Sequence, residues 1–188
     1  MKITKFIATA GLVLFTSTFA MFIYAADPDC PGTFTGSITP PIGNELKLTL
    51  HAKGIQIYDC KESLITPRTY SWVFRSPVAT LSKHGKAAIH YAGPRWKSIM
   101  PGGNSTIKGA KCQDISSLTP NAIPQLLLSA THVTPGPLFG NVTYIQRVNT
   151  TGGVAPVAPV APAASVCGLG AELDVPYTAD YKLYRAED

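Results

Sequence analysis

Carboxylates are scarce in this chain: 11 Asp and Glu stand among 188 residues, against 16 Lys and Arg, for a formal charge of +5. A glycosidase needs two placed carboxylates, and those present, among them Asp59, Glu62, Asp114, Glu172, Asp174 and Asp180, stand mostly isolated in polar turns. A Gly-x-Ser-x-Gly elbow that would present a serine nucleophile is missing. His51, His84, His90 and His132 lack the short spacings of His-x-His or His-Glu-x-x-His metal sites, and no Cys-x-x-Cys knuckle or redox pair occurs. The basic residues are scattered, with nothing denser than Lys108 and Lys111, so the electrostatic footprint of a nucleic-acid binder is absent. No window of a dozen residues sustains a helical apolar stripe. These absences leave no catalytic residue, no metal and no cofactor to assign.

What is present begins with an export signal. Lys2 and Lys5 precede an apolar stretch from Phe6 to Tyr24 that ends at the small Ala25 and Ala26, so residues 1–26 read as a cleavable signal peptide. Thr9, Thr16, Ser17 and Thr18 dilute the stretch, and no basic cluster follows it, which argues against a membrane anchor. Residues 27–188 then form one domain with an expected charge of +3, since loss of Lys2 and Lys5 leaves 14 basic against 11 acidic residues. The four cysteines, Cys30, Cys60, Cys112 and Cys167, all lie beyond the signal, and an even number in an exported chain points to two disulfides with three possible pairings. Sequons at Asn104, Asn141 and Asn149 predict surface positions open to glycosylation.

The mature chain reads as strands. Leu46, Leu48 and Leu50 alternate with polar residues over 45–51, Gly54 breaks the pattern, and Ile55 and Ile57 resume it opposite Gln56 and Tyr58 up to Cys60. Further strands are expected at 70–74, 87–91, 125–132, 141–148 and 181–184, each bounded by Pro, Gly or Asn. The run Leu126-Leu127-Leu128 reads as a buried strand because Thr131, Val133 and Thr134 follow it. With 16 Pro and 16 Gly, the expected class is all-β: a single-domain β-sandwich or jelly roll with short irregular loops and at most a short helix. Residues 152–164, which repeat Val-Ala-Pro, suggest a stiff surface loop leading back to Cys167.

The densest patch of chemically capable side chains is His90-Tyr91-Ala92-Gly93-Pro94-Arg95-Trp96. An imidazole, a guanidinium and an indole so close together suit a polar site with an aromatic floor, the usual way a sugar or small polar ligand is held. The competing expectation is structural: Gly93-Pro94 a turn, Trp96 a core anchor, His90 a partly buried hydrogen-bonding group. A second patch spans Thr143 to Arg147, where Val142, Tyr144, Gln146 and Val148 share one face and Thr143, Ile145 and Arg147 the other. Gln56 and Gln146, amides inside strand patterns, need partners and are candidates for cross-strand bonds or ligand contacts. The candidate ligand-binding set is therefore His90, Tyr91, Arg95, Trp96, Gln56, Tyr58, Gln146 and Arg147.

Five segments, taken in order, resemble the DUF3455 family, a domain of unknown function found in secreted fungal and bacterial proteins. They are Gly54-Ile55-Gln56-Ile57-Tyr58-Asp59-Cys60, Trp72-Val73-Phe74 with Pro77 and Leu81, His90 to Trp96, Thr143 to Gly153, and Pro176-Tyr177-Thr178-Ala179-Asp180-Tyr181 ending at Tyr184. The resemblance implies one compact β-rich domain and a Cys60–Cys167 disulfide, which leaves Cys30 for Cys112. Two positions depart from the family pattern: its Asp-Gly-Ser reads Gly103-Asn104-Ser105 here, and its tryptophan after the Ile-Pro step is Gln125. The resemblance implies no established activity. Some fungal members carry a malate dehydrogenase label, but Gly168-Leu169-Gly170 begins a dinucleotide fingerprint that fails at Leu173 and lacks a βαβ unit.

The leading expectation is a secreted, non-enzymatic binding module for carbohydrate or a similar small polar ligand. It has no nucleic-acid partner and no membrane attachment after signal cleavage. The alternatives are a secreted enzyme centred on His90 and a cell-wall-associated interaction protein.

Overall fold

In the computed structural model, which describes residues 30, 36–156 and 167–188, the chain runs through eight antiparallel strands and, among the described residues, no helix. They are β1 (Asn44–Glu62), β2 (Tyr70–Lys83), β3 (Lys86–Tyr91), β4 (Arg95–Ser98), β5 (Thr106–Ile115), β6 (Gln125–Thr134), β7 (Val142–Gly152) and β8 (Glu172–Ala186). The expected signal segment, 1–26, and the Val-Ala-Pro repeat from 157 onward lie outside the described residues.

The all-β reading with short irregular loops holds, and the structure specifies the arrangement within that class. Each strand pairs with the next, and β8 returns to pair with β1 from Asn44↔Ala186 to Asp59↔Glu172, so one sheet closes on itself as an up-and-down barrel. Short connections favour nearest-neighbour pairing, and closure removes both exposed sheet edges.

The period of two sorts side chains to the two faces of this barrel. Leu50, Ala52, Ala79, Leu81, Ala88, Trp96, Ile107, Leu128, Ile145, Ala179, Tyr181 and Leu183 are buried in one core. Leu138 and Phe139 join that core from the β6–β7 loop, which by topology lies at the end opposite the β3–β4 and β5–β6 connections. One end of the barrel is thereby filled.

Three local expectations are corrected. Gly54 does not end a strand; β1 runs straight through it, because β2 passes so close there that a Cβ would meet Val78 O and lie 2.5 Å from Ala79 Cα. The inward parity set by Leu50 and Ala52 therefore continues to Gln56, which is buried, while Ile55 and Ile57 face outward. A bulge between Leu46 and Leu48 turns Leu46 outward, so it does not share the buried face of Leu50. A bulge between Val142 and Tyr144 likewise splits the expected face: Val142 joins the barrel core, while Tyr144 and Val148 pack outside it.

That outer packing is made by the lead-in before β1. Ile38 lies on Leu127, Tyr144 and Val148, and the Cys30–Cys112 disulfide ties the start of the segment to β5. The second disulfide joins Cys60 at the end of β1 to Cys167 ahead of β8, so both pairings are those the family resemblance implies. Asn104, Asn141 and Asn149, the three sequon positions, are exposed.

Candidate functional site

The β3–β4 hairpin carries the patch singled out from the sequence, and its register decides which members of the patch meet. His90 pairs directly with Trp96, so both rings point to the same face, inward. They stack with centroids 4.3 Å apart and planes 6° from parallel, and Tyr181 of β8 meets both edge-on at 5.4 and 5.6 Å. Gly109 on β5 makes room for the indole, since a Cβ there would lie 3.0 Å from Trp96 Cζ3 and 2.9 Å from Leu128 Cδ2. Tyr91 and Arg95, one residue further along each strand, take the outward parity and are not brought to this cluster.

His90 is held in one chemical form. Its Nδ1–H donates to Arg95 O at 2.9 Å, which fixes the tautomer and leaves Nε2 its lone pair. Burial pulls its pKa down to about 4, and the nearby positive charge of Arg147 acts in the same direction, against the backbone bond. The ring is neutral at physiological pH.

Beside this aromatic cluster lies a cavity of about 350 Å³. Its lining comes from all eight strands of the barrel: Gln56 and Tyr58 (β1), Pro77 (β2), His90 (β3), Trp96 (β4), Lys111 (β5), Leu126 and Leu128 (β6), Arg147 (β7) and Tyr181 (β8). The lining also includes the exposed Phe74, Arg75, Ala92, Gly93, Pro94 and Pro124, so the cavity opens at the end away from Leu138 and Phe139. Five of the eight candidate residues, His90, Trp96, Gln56, Tyr58 and Arg147, thus converge on one lumen from three distant stretches of chain.

Gln146 does not join them. It lies on the outer face, where its amide donates to Ile38 O at 2.8 Å and accepts from Tyr184 Oη at 3.0 Å, so it anchors the lead-in segment. Trp96 is only 1% exposed and belongs to the core, so of the two expectations for it the core anchor holds and the exposed aromatic floor does not. Both corrections follow from strand parity, which a list of chemically capable residues does not contain.

The lumen is unusual in its polar groups. Gln56 Nε2, Trp96 Nε1, Tyr177 Oη and Tyr181 Oη are all buried and have no hydrogen-bond partner among the described residues. Tyr177 faces both Tyr181 and Gln56 closely enough for them to perturb its hydroxyl, without any of the three reaching hydrogen-bond geometry; burial first, then Tyr181, pushes the Tyr177 phenol far above its usual range. Buried donors of this kind normally find a partner, and each one left unmade costs about 1–3 kcal/mol. Tyr58 is satisfied by Gly153 O at 2.6 Å, and burial raises its pKa. Arg147 donates through Nε and Nη2 to Pro124 O at 3.1 and 2.8 Å.

The sequence reading missed Tyr177 and Tyr181. The signal was there: Tyr177, Ala179, Tyr181 and Leu183 alternate with polar residues, and extending the last strand back to Glu172 places all four on one face. Gly168-Leu169-Gly170 forms a turn closed by Ala171 N donating to Gly168 O at 2.9 Å, leading into β8 rather than into a nucleotide-binding helix. Among the described residues no three His, Cys, Asp or Glu side chains gather to hold a metal ion.

Compared with known families, residues 41–185 match DUF3455, described as a protein of unknown function. The chain belongs to the DUF3455 family. No curated protein and no solved structure matches it. The match takes in β1 to β7 whole and β8 up to Arg185, and with them every described residue that lines the lumen of this DUF3455 domain.

Proposed function

We propose that this DUF3455 protein is a non-enzymatic extracellular binding protein that holds one small, mainly apolar molecule in the lumen of its barrel. The observation that carries the reading is the cavity itself, about 350 Å³ at one end of the barrel, with a wall built largely from Pro77, Trp96, Ile123, Leu126 and Leu128. Eight-stranded barrels are the size that holds one small ligand, and a concave apolar pocket with a few convergent polar groups is the usual form of a binding site. The two disulfides suit an oxidising compartment outside the cell.

The lining favours binding over catalysis because, among the described residues, it offers no carboxylate, thiol or aliphatic hydroxyl as a nucleophile, and its imidazole, His90, is stacked and held neutral. It also favours an apolar molecule over a carbohydrate. The wall a ligand would touch is mostly apolar, so most of a sugar's hydroxyl groups would be set against carbon and lose their hydrogen bonds to water.

The test is titration with N-phenylnaphthylamine, a neutral lipophilic dye that brightens in apolar sites. Saturable binding at one site per chain is expected, and the lumen-filling substitution Leu126→Trp should abolish it while far-ultraviolet circular dichroism stays unchanged. Equal binding by the folded Leu126→Trp protein, or no saturable binding by the native one, would reject the reading.

A further inference from the structure

The charges around the cavity are of one sign. Among the described residues its lining includes Arg75, Lys111 and Arg147 and no Asp or Glu. Two of the three cations are already neutralised: Arg75 by Asp59 at 3.0 Å and Glu172 at 2.7 Å, and Lys111 by Asp114 at 2.9 Å. Arg147 forms no ion pair among the described residues. Its two donated bonds both go to Pro124 O, a neutral acceptor that fixes the plane of the guanidinium without compensating its charge. A guanidinium has five N–H donors, so three remain.

Position puts that charge at the lumen. Arg147 sits on β7 between Leu126 of β6 and Tyr181 of β8, both lining residues, and it shares the inward parity of Ile145. Its field reaches across the barrel: it favours the ionised phenols of Tyr58 and Tyr177 and disfavours the charged imidazole of His90. Arg147 is partly exposed and solvated in the open lumen, so an apolar molecule that displaced that water would have to answer its charge.

We infer that the ligand of this lumen is an amphipathic monoanion, an apolar body ending in a carboxylate, with the carboxylate held by Arg147 and the body packed on Leu126, Leu128, Ile123 and Trp96. The inference rests on the lumen-binding reading above and adds the charge and polarity of what is bound. Arg presents two parallel N–H donors that match a carboxylate, and such charge-assisted pairs are about twice as strong as neutral hydrogen bonds. At roughly 30 Å³ for a water-sized group, the volume of about 350 Å³ accommodates on the order of a dozen non-hydrogen atoms. Decanoate is of that size.

The experiment compares decanoate, decanol and decylammonium as competitors of N-phenylnaphthylamine at pH 7.5, with the full oxidised protein. Decanoate is expected to bind about tenfold or more tightly than decanol, with decylammonium weakest, and the decanoate preference should shrink as salt is raised. Arg147→Gln, which keeps a donor for Pro124 O, should cut decanoate affinity about tenfold and move decanol affinity less than threefold. Arg147→Lys should retain most of the preference. Lys97→Gln, an outward-facing charge on β4, should leave all three affinities as they were. Decanol binding as well as decanoate in the native protein, or Arg147→Gln weakening both alike, would overturn the anion inference while leaving lumen binding in place. Failure of the dye and all three competitors to bind would overturn both. The native decanoate-to-decanol ratio decides the matter even if Arg147→Gln does not fold.

Discussion

Acidification should destabilise this protein through His90 in a way that can be isolated and sized. The imidazole is 3% exposed, stacked on Trp96 with Tyr181 edge-on to it, and faces the positive field of Arg147 with no carboxylate to accept a proton's charge. Its pKa falls from the ordinary 6.5 to about 4 on folding. Above pH 6.5 neither the folded nor the unfolded chain binds a proton here, so the residue contributes no pH dependence. As pH falls below 6.5 the unfolded imidazole takes up a proton that the folded one refuses, and folding stability drops until the folded group also titrates near 4. Each unit of separation is worth about 1.4 kcal/mol, so the full loss is about 3 kcal/mol, of which roughly 2 kcal/mol is already present at pH 4.5. Carboxylates titrate over part of the same window, and they are cancelled by comparing the native protein with His90→Gln, whose amide keeps a donor for Arg95 O but does not titrate. Urea unfolding of the oxidised proteins at pH 7.5 and 4.5, followed by circular dichroism, gives four stabilities. The native protein should lose about 2 kcal/mol more than His90→Gln between the two values. Equal losses in the two proteins would refute the reasoning, because they would mean that His90 is solvated or charged in the folded state.

Two further expectations concern the scaffold. Gly54→Ala places a methyl group on the backbone of β2 at Val78 and Ala79, which cannot step aside without parting the β1–β2 ladder, so a loss on the order of 3 kcal/mol is expected in urea unfolding. A change below about 0.5 kcal/mol would show that the two strands do not approach so closely. The Cys60–Cys167 disulfide spans 107 residues of sequence, and the paired substitution Cys60→Ser with Cys167→Ser should cost about 4–5 kcal/mol on the chain-entropy estimate. Thiol titration of the native protein unfolded without reductant should find no free sulfhydryl, and detection of free thiols would contradict both pairings.

Much of the site was legible as composition and little of it as geometry. The stretch from His90 to Trp96 stood out because chemically capable residues are dense there, and the turn at Gly93-Pro94 implied a hairpin that would bring its two ends together. Whether those ends faced solvent or the interior depended on parity, and parity depends on bulges. The bulges at Leu46/Leu48, Ile57/Tyr58 and Val142/Tyr144 each shift one strand by a residue, and no local pattern announces them. Arg147 illustrates the same point: the alternation placed it opposite Tyr144 and Gln146, but only the ring of neighbouring strands shows that its side of β7 is the lumen.

By itself the sequence determined the all-β character of this chain, the two-disulfide chemistry implied by its even cysteine count, and the membership of His90, Trp96, Gln56, Tyr58 and Arg147 in a short set of residues able to bind something. These are properties of local periodicity and residue type. The tertiary structure alone decided that β8 closes on β1, since pairing between the first and last strands is a long-range event with no local signature. That closure turns five scattered side chains into the wall of one cavity. It also buries the indole that would otherwise be an exposed platform and leaves Arg147 as the charge that no carboxylate of the described chain answers.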